Sequence, residues 1–264
     1  MENEALIRLA IFLGLFALLA AIESYAPRRT RQEPRGRRWI TNWGIVILST
    51  LALRALALAM PLLAVGAALD AQAQGWGLMN RLDLSLWVTI PLTVLIFDLA
   101  IWAQHLVTHK VPILWRLHRV HHADRDIDVT TAIRFHPVEI ALSMLLKIGL
   151  VYLLGPPAIG IVVFEIVLNG TAMFNHANIA LPPRADALLR KLIVTPDMHR
   201  VHHSVHRGEH DTNYGFALSV WDRLFGTYLA QPKDGHEAMT IGLEWQDERP
   251  SKLGWSLWLP FQRK

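Results

Sequence analysis

The sequence of 264 residues contains no cysteine. That absence removes disulfides, cysteine-ligated zinc, iron–sulfur clusters, thiolate haem and thiol nucleophiles at once. Charge is scarce as well: Asp, Glu, Lys and Arg make up 18% of the chain, against about a quarter in soluble domains. Hydrophobic residues reach 52% and the mean hydropathy is +0.27. Because the excess lies in several long apolar runs, composition excludes an ordinary soluble protein and points to the membrane. The net charge of +4 and pI near 9.6 do not argue for nucleic acid. The basic residues sit beside apolar runs, where they orient a chain in the bilayer. Thirteen histidines are present, and none precedes His105.

Residues 5–25 are long enough to span about 30 Å of hydrocarbon. Acidic Glu2 and Glu4 stand where a signal peptide carries bases, so this run is expected to be a helix of the mature protein. Six arginines then crowd residues 28–38, a polar loop that the positive-inside rule places in the cytoplasm. The apolar run 42–69, with Arg54 as its one charge, should cross back to an extracytoplasmic link at 70–83. Residues 84–108 should return to the cytoplasmic side and deliver His105 and His109 there. The runs 138–154 and 158–174, joined by Gly155-Pro156-Pro157, read as a helical hairpin whose arms are short for a full span. Tryptophans and Phe261 in 253–261 suit the headgroup interface. The expected fold is therefore an all-α integral membrane protein. It has about three long transmembrane helices plus a helical hairpin, with a cytoplasmic histidine-rich helical cap. Residues 1–264 read as a single domain.

Histidine falls in four clusters: His105-Leu-Val-Thr-His109, His118-Arg-Val-His121-His122, His176-Ala-Asn178 and His199-Arg-Val-His202-His203. On a helix, positions i, i+3 and i+4 share a face, so each multi-histidine cluster aims its imidazoles at one region. Neutral imidazole binds zinc, iron, copper and nickel, and nine such ligands exceed the needs of one tetrahedral zinc. Two metal ions with four or five nitrogen ligands each fit the count.

With these boxes on the page, the chain resembles the fatty acid hydroxylase superfamily, also called the sterol desaturase family, of integral-membrane non-haem di-iron oxygenases. The matching pieces run in family order between residues 98 and 228. Besides the histidine clusters they include Arg134-Phe-His-Pro137, Phe174-Asn-His-Ala-Asn178, Thr195-Pro-Asp-Met-His199, Asn213-Tyr-Gly215 and Trp221-Asp-Arg-Leu-Phe-Gly-Thr-Tyr228. The resemblance implies metal ligands at His105, His109, His118, His121, His122, His176, His199, His202 and His203. Some members carry two histidines in the third box; here Asn178 stands two residues beyond His176, and Asn178 or a water is the expected completing ligand. The resemblance further implies two iron ions, O2 as co-substrate and a lipid substrate from the bilayer. An external electron donor is needed too, since no flavin or haem motif occurs in the chain. Hydroxylation and desaturation are both consistent with such a centre, and the lipid is not legible. A zinc-dependent membrane hydrolase is the alternative, zinc being an equally good partner for imidazole.

Asp98 shares a helical face with Trp102, His105 and His109, and Glu165 and Asn169 precede His176 with the same spacing. Ionisable groups in hydrocarbon are costly and face the protein interior, so Asp98 and Glu165 are expected to border the site or hydrogen-bond a ligand histidine. His136 is expected to shape the start of the hairpin, near the site, and His236 to lie at the surface. His206-Arg-Gly-Glu-His210 matches an inverted zinc-protease pattern, but Gly208 and the following Asp211-Thr-Asn-Tyr-Gly215 favour a loop.

Overall fold

The longest apolar runs of the sequence fold as helices, because a spanning segment must satisfy its backbone groups internally. In the computed structural model, which describes residues 3–59 and 63–262, these are α1 (Glu4–Tyr25), α2 (Arg35–Ala59), α4 (Leu86–Lys110), α6 (Pro137–Leu154) and α7 (Ala158–His176). All five are long and apolar enough to cross a membrane. Between them lie α3 (Ala64–Gln74) and α5 (Pro112–His122), followed by α8 (Pro183–Leu189), α9 (Pro196–His202) and four further short helices between Arg207 and Trp258. No strand forms among the described residues; two isolated bridges, Ile193 with Leu218 and Ser204 with Ile241, tie the C-terminal part.

Two boundaries differ from expectation. The run 42–69 does not read as one helix: α2 ends at Ala59 and a separate helix, α3, begins at Ala64, while residues 60–62 lie outside the described residues. α3 packs its alanines 64, 67, 68 and 71 into a core with Phe97, Ile148, Val151 and Phe164. The arginine-rich segment is also not wholly a solvated loop. α2 starts at Arg35, and Arg38 is 1% exposed. Its guanidinium donates to both carboxylate oxygens of Asp124 at 2.8 Å and to Asp128 at 2.6 Å. That fork matches a carboxylate as no lysine could.

Local chemistry sets the hairpin's ends. His136 caps α6, its Nδ1 accepting from the Val138 amide at 3.2 Å, and Pro137 occupies the first helical position. At the far tip Gly155 has φ +63° and meets Gly77 at φ +91°; a Cβ on Gly77 would stand 2.2 Å from the Gly155 nitrogen. Only glycine allows that close approach. The tip therefore sits against the link before α4, and the Leu78 amide donates to the Leu153 carbonyl at 3.2 Å. The opposite ends of α4 and α7 carry His105, His109 and His176.

Candidate metal centre

α4, α5, α7 and α9, with His203 just beyond the end of α9, supply nine buried histidines to one locus. They fall into two groups, each with its candidate ligand atoms mutually within 4.8 Å: His105, His109, His118, His122 and His202; and His121, His176, His199 and His203. The i, i+3, i+4 spacing accounts for the division. In His118-Arg-Val-His121-His122, positions 118 and 122 face the first group and 121 the second; in His199-Arg-Val-His202-His203, 202 joins the first and 199 and 203 the second.

Nδ1 hydrogen bonds orient several rings. His105 Nδ1 donates to the Tyr214 carbonyl at 2.7 Å, His202 Nδ1 to the Thr212 carbonyl at 2.6 Å, and His176 Nδ1 to the Ala172 carbonyl at 2.7 Å. His118 Nδ1 lies 2.6 Å from Glu139 Oε1, and His109 Nδ1 is 3.4 Å from Asp211 Oδ1. A hydrogen bond at Nδ1 selects the tautomer whose Nε2 lone pair is free. Nε2 atoms converge across both groups, including those of His121, His199 and His203, whose Nδ1 atoms are buried without a partner: 3.0 Å for His105–His118, 3.1 Å for His121–His176, 3.0 Å for His176–His199 and 3.3 Å for His199–His203. Nitrogens bound at ~2.1 Å to one ion, ~90–105° apart, stand about 3.0–3.3 Å from each other. Nε2 of His109 and His202 and both nitrogens of His122 are buried without a partner. A buried unpaired polar atom is costly unless something unseen satisfies it. Burial, reinforced by neighbouring imidazoles, holds His121, His122, His199 and His203 well below the ordinary 6.5. Burial likewise outweighs the opposing Thr212 carbonyl at His202. Neutral imidazole is the form that binds a cation, so this donor set fits two metal ions.

The backbone segment behind His105 and His202 is itself held by acids. Asp222 accepts from the amides of Tyr214 and Gly215, both at 2.8 Å, and from Trp102 Nε1 at 3.0 Å. Asn213, at φ +52°, donates to the Met198 and Leu229 carbonyls. Asp98 faces the protein interior but touches no histidine: it accepts from the amides of Ala217 and Leu218 and from Trp221 Nε1 at 2.8 Å. Glu165 is likewise buried away from the histidines, paired with Arg8 and with Lys147 at 3.3 Å. Asn178 exchanges hydrogen bonds with the Arg29 backbone and is not directed at the four-histidine group. His136 serves the helix cap described above. His236, expected at the surface, is buried, its Nε2 3.8 Å from Asp197, because the chain after Asp234 folds back over α9. His206 and His210 turn apart, to Asp234 and to the Ser204 carbonyl, which leaves the protease pattern without a common ligand position. Sequence reasoning missed Glu139: it lies in an apolar helix start, and nothing in its spacing links it to His118.

A cavity of about 280 Å³ runs from His105 and His118 between α2, α4, α6 and α7, past Phe135, Phe216 and Ile140, down to Lys147. On the other side of the five-histidine group, a cavity of about 660 Å³ reaches His109 between Trp115, Arg119 and Arg207.

Fold and site together define a helical, membrane-type protein built around a buried polyhistidine centre able to hold metal. A family model described as fatty acid hydroxylase matches residues 90–227, just over half of the chain. The chain belongs to the fatty acid hydroxylase family. It is 30% identical over 144 residues to the ornithine lipid hydroxylase OlsE of Rhizobium tropici, covering 54% of this chain and 43% of that protein. It is 31% identical over 151 residues to the alkylglycerol monooxygenase of Homo sapiens, covering 55% of this chain and 31% of that protein. With the cholesterol 25-hydroxylase of Rattus norvegicus identity is 28% over 146 residues, covering 54% and 47%. The aligned part thus spans less than half the length of each of these relatives. No solved structure matches the chain.

Proposed function

We propose that this protein is a membrane-bound di-iron oxygenase that inserts oxygen at, or desaturates, a C–H position of a lipid. The observation that carries the reading is the meeting of an apolar cavity with the five-histidine group at His105 and His118. Two iron ions, held by the nine histidines, would supply the activation of O2 and the oxidation of an unreactive C–H bond, which side chains cannot perform. The protein's own part is positional. The Tyr214, Thr212 and Ala172 carbonyls and Glu139 keep imidazoles aimed inward. Phe135 and Phe216 wall the cavity beside His105 and His118, excluding water and holding an alkyl chain against the centre. The named relatives, all lipid hydroxylases or monooxygenases, support the same chemistry.

Two electrons must come from an external reductase or small carrier. The basic cavity beside Trp115 is the side from which such a partner reaches the histidines without crossing the membrane. We place that face in the cytoplasm, because the arginines of residues 28–38 pack on the same side. An all-nitrogen donor set also accepts zinc, and a zinc hydrolase makes opposite predictions. The test is metal analysis of the purified protein, with lipid mass spectrometry of cells grown under 18O2 with and without the gene. Iron together with label in a lipid, or a loss of two mass units, is the expected result. Zinc alone, with a hydrolysed lipid carrying no label from O2, overturns the proposal.

A further inference from the structure

The lipid cavity has a polar floor, and its chemistry bears on what binds there. Lys147 lines the cavity and spends one N–H on Glu165 at 3.3 Å. An ammonium carries three donors, so two are left without a partner among the described residues. Asn169 is exposed where it lines both this cavity and a neighbouring one beside Arg8 and Thr171, and its amide has no partner among the described residues. An unpaired amide in a membrane span is costly unless a ligand meets it. The charges, unlike the donors, are already balanced. Glu165 is shared by Lys147 and Arg8, and Arg8 also pairs with Glu4 at 2.7 Å, two acids against two bases.

We propose that Lys147 and Asn169 form a subsite for a neutral oxygen acceptor, an ester or amide carbonyl or a hydroxyl, set within an otherwise apolar lipid. This inference rests on the lipid-oxygenase reading and deepens it. A carboxylate is disfavoured, because no uncompensated positive charge awaits it. A plain hydrocarbon is disfavoured too, because it leaves the donors unmet. Depth adds a ruler. Asn169 lies seven residues from His176, and Lys147 eight from Glu139, the partner of His118; at ~1.5 Å per residue these are about 10 and 12 Å. The acceptor oxygen therefore lies along the chain from the oxidised carbon, not beside it.

The test uses the full-length, metal-loaded protein in detergent. Native mass spectrometry would compare the binding of hexadecane, methyl hexadecanoate, 1-hexadecanol and hexadecanoate. The ester or the alcohol, whichever matches the natural acceptor, should bind about three- to tenfold more tightly than the alkane and the acid, as one or two net hydrogen bonds allow. Lys147→Met together with Asn169→Leu should erase the preference, alkane affinity rising as the floor becomes apolar. Asn169→Leu alone touches no ion pair and should remove part of it. Equal binding of all four probes by the wild type, tightest binding of the acid, or a preference surviving in the double variant each overturns the subsite. Binding is read without turnover, so these results are independent of whether any lipid acquires label from 18O2, which tests the oxygenase reading itself.

Discussion

Glu139 offers the sharpest handle on how the centre is built. Its Oε1 lies 2.6 Å from His118 Nδ1, and both residues are buried, at 6% and 1% exposure. Its other oxygen is buried without a partner. Replacing Glu139 by Leu keeps the bulk and removes the acceptor, freeing the imidazole to rotate or change tautomer. Loss of such a partner weakens metal affinity about 10- to 100-fold, or roughly 1.4–2.8 kcal/mol. Glu139→Gln keeps an acceptor oxygen but not the charge and should lie between wild type and Glu139→Leu. His118 belongs to the five-histidine group, so the effect should fall on one ion while the other group holds its own. The assay is chelator competition followed by elemental analysis: a wild type retaining two ions per chain should become a variant retaining one at intermediate chelator. A Glu139→Leu protein with both ions and an unchanged competition midpoint would refute the reasoning, as would simultaneous loss of both ions, which would make the groups inseparable.

Ala substitution at His203 should empty the four-histidine group and abolish lipid oxidation, whereas at His202 it should leave four imidazoles in the five-histidine group, weaken its hold on metal and lower activity; an active, fully loaded His203→Ala variant would count against the assignment. Asp98→Leu strands one buried donor, on Ala217, and two half-buried ones, on Leu218 and Trp221, and should destabilise by about 1–3 kcal/mol or more. Asp98→Asn, which can still accept, should cost less; thermal melts in detergent check both. The buried imidazoles of His121, His122, His199, His202 and His203 have folded-state values below 6.5. The unfolded chain therefore binds more protons below that pH. Stability of the metal-free protein should be full above pH 6.5 and fall as pH drops below it; a melting temperature flat from pH 7.5 to 5 would contradict this. Single cysteines, introduced into a chain that has none, should label from one side at positions 35 and 235 and from the other at 74, and labelling of 35 and 235 from opposite sides would overturn the arrangement of spans.

Much of the frame is legible because membrane insertion writes a coarse code. Long apolar runs mark α1, α4, α6 and α7, and the histidine spacings mark the faces of α5 and α9. What escapes is held by contacts distant in sequence. Arg38 looks like one arginine among six until its partners Asp124 and Asp128 are seen, 86 and 90 residues away. Asp98 sits on the histidine face, as its spacing says, yet a helix position cannot reveal that the Ala217 and Leu218 amides and the Trp221 indole come to meet it. His236 carries no periodic signal at all, so its burial depends wholly on how the C-terminal chain folds back. The break between α2 and α3 escaped for the opposite reason: hydropathy averages over it.

The nine histidines have a consequence for biogenesis. His105 and His203, the outermost members, are separated by 98 positions, and neither group is complete until α9 is in place. During synthesis, a ribosome that has released α4 through α7 has made four members of the five-histidine group but only His121 and His176 of the other. Because binding free energy at such a site is also folding free energy, an ion held by the four-histidine group would be captured only after insertion of the helical hairpin and return of the C-terminal chain. That group would thus act as a closing clasp, and a truncated or mis-inserted chain would be marked by its inability to keep a second ion.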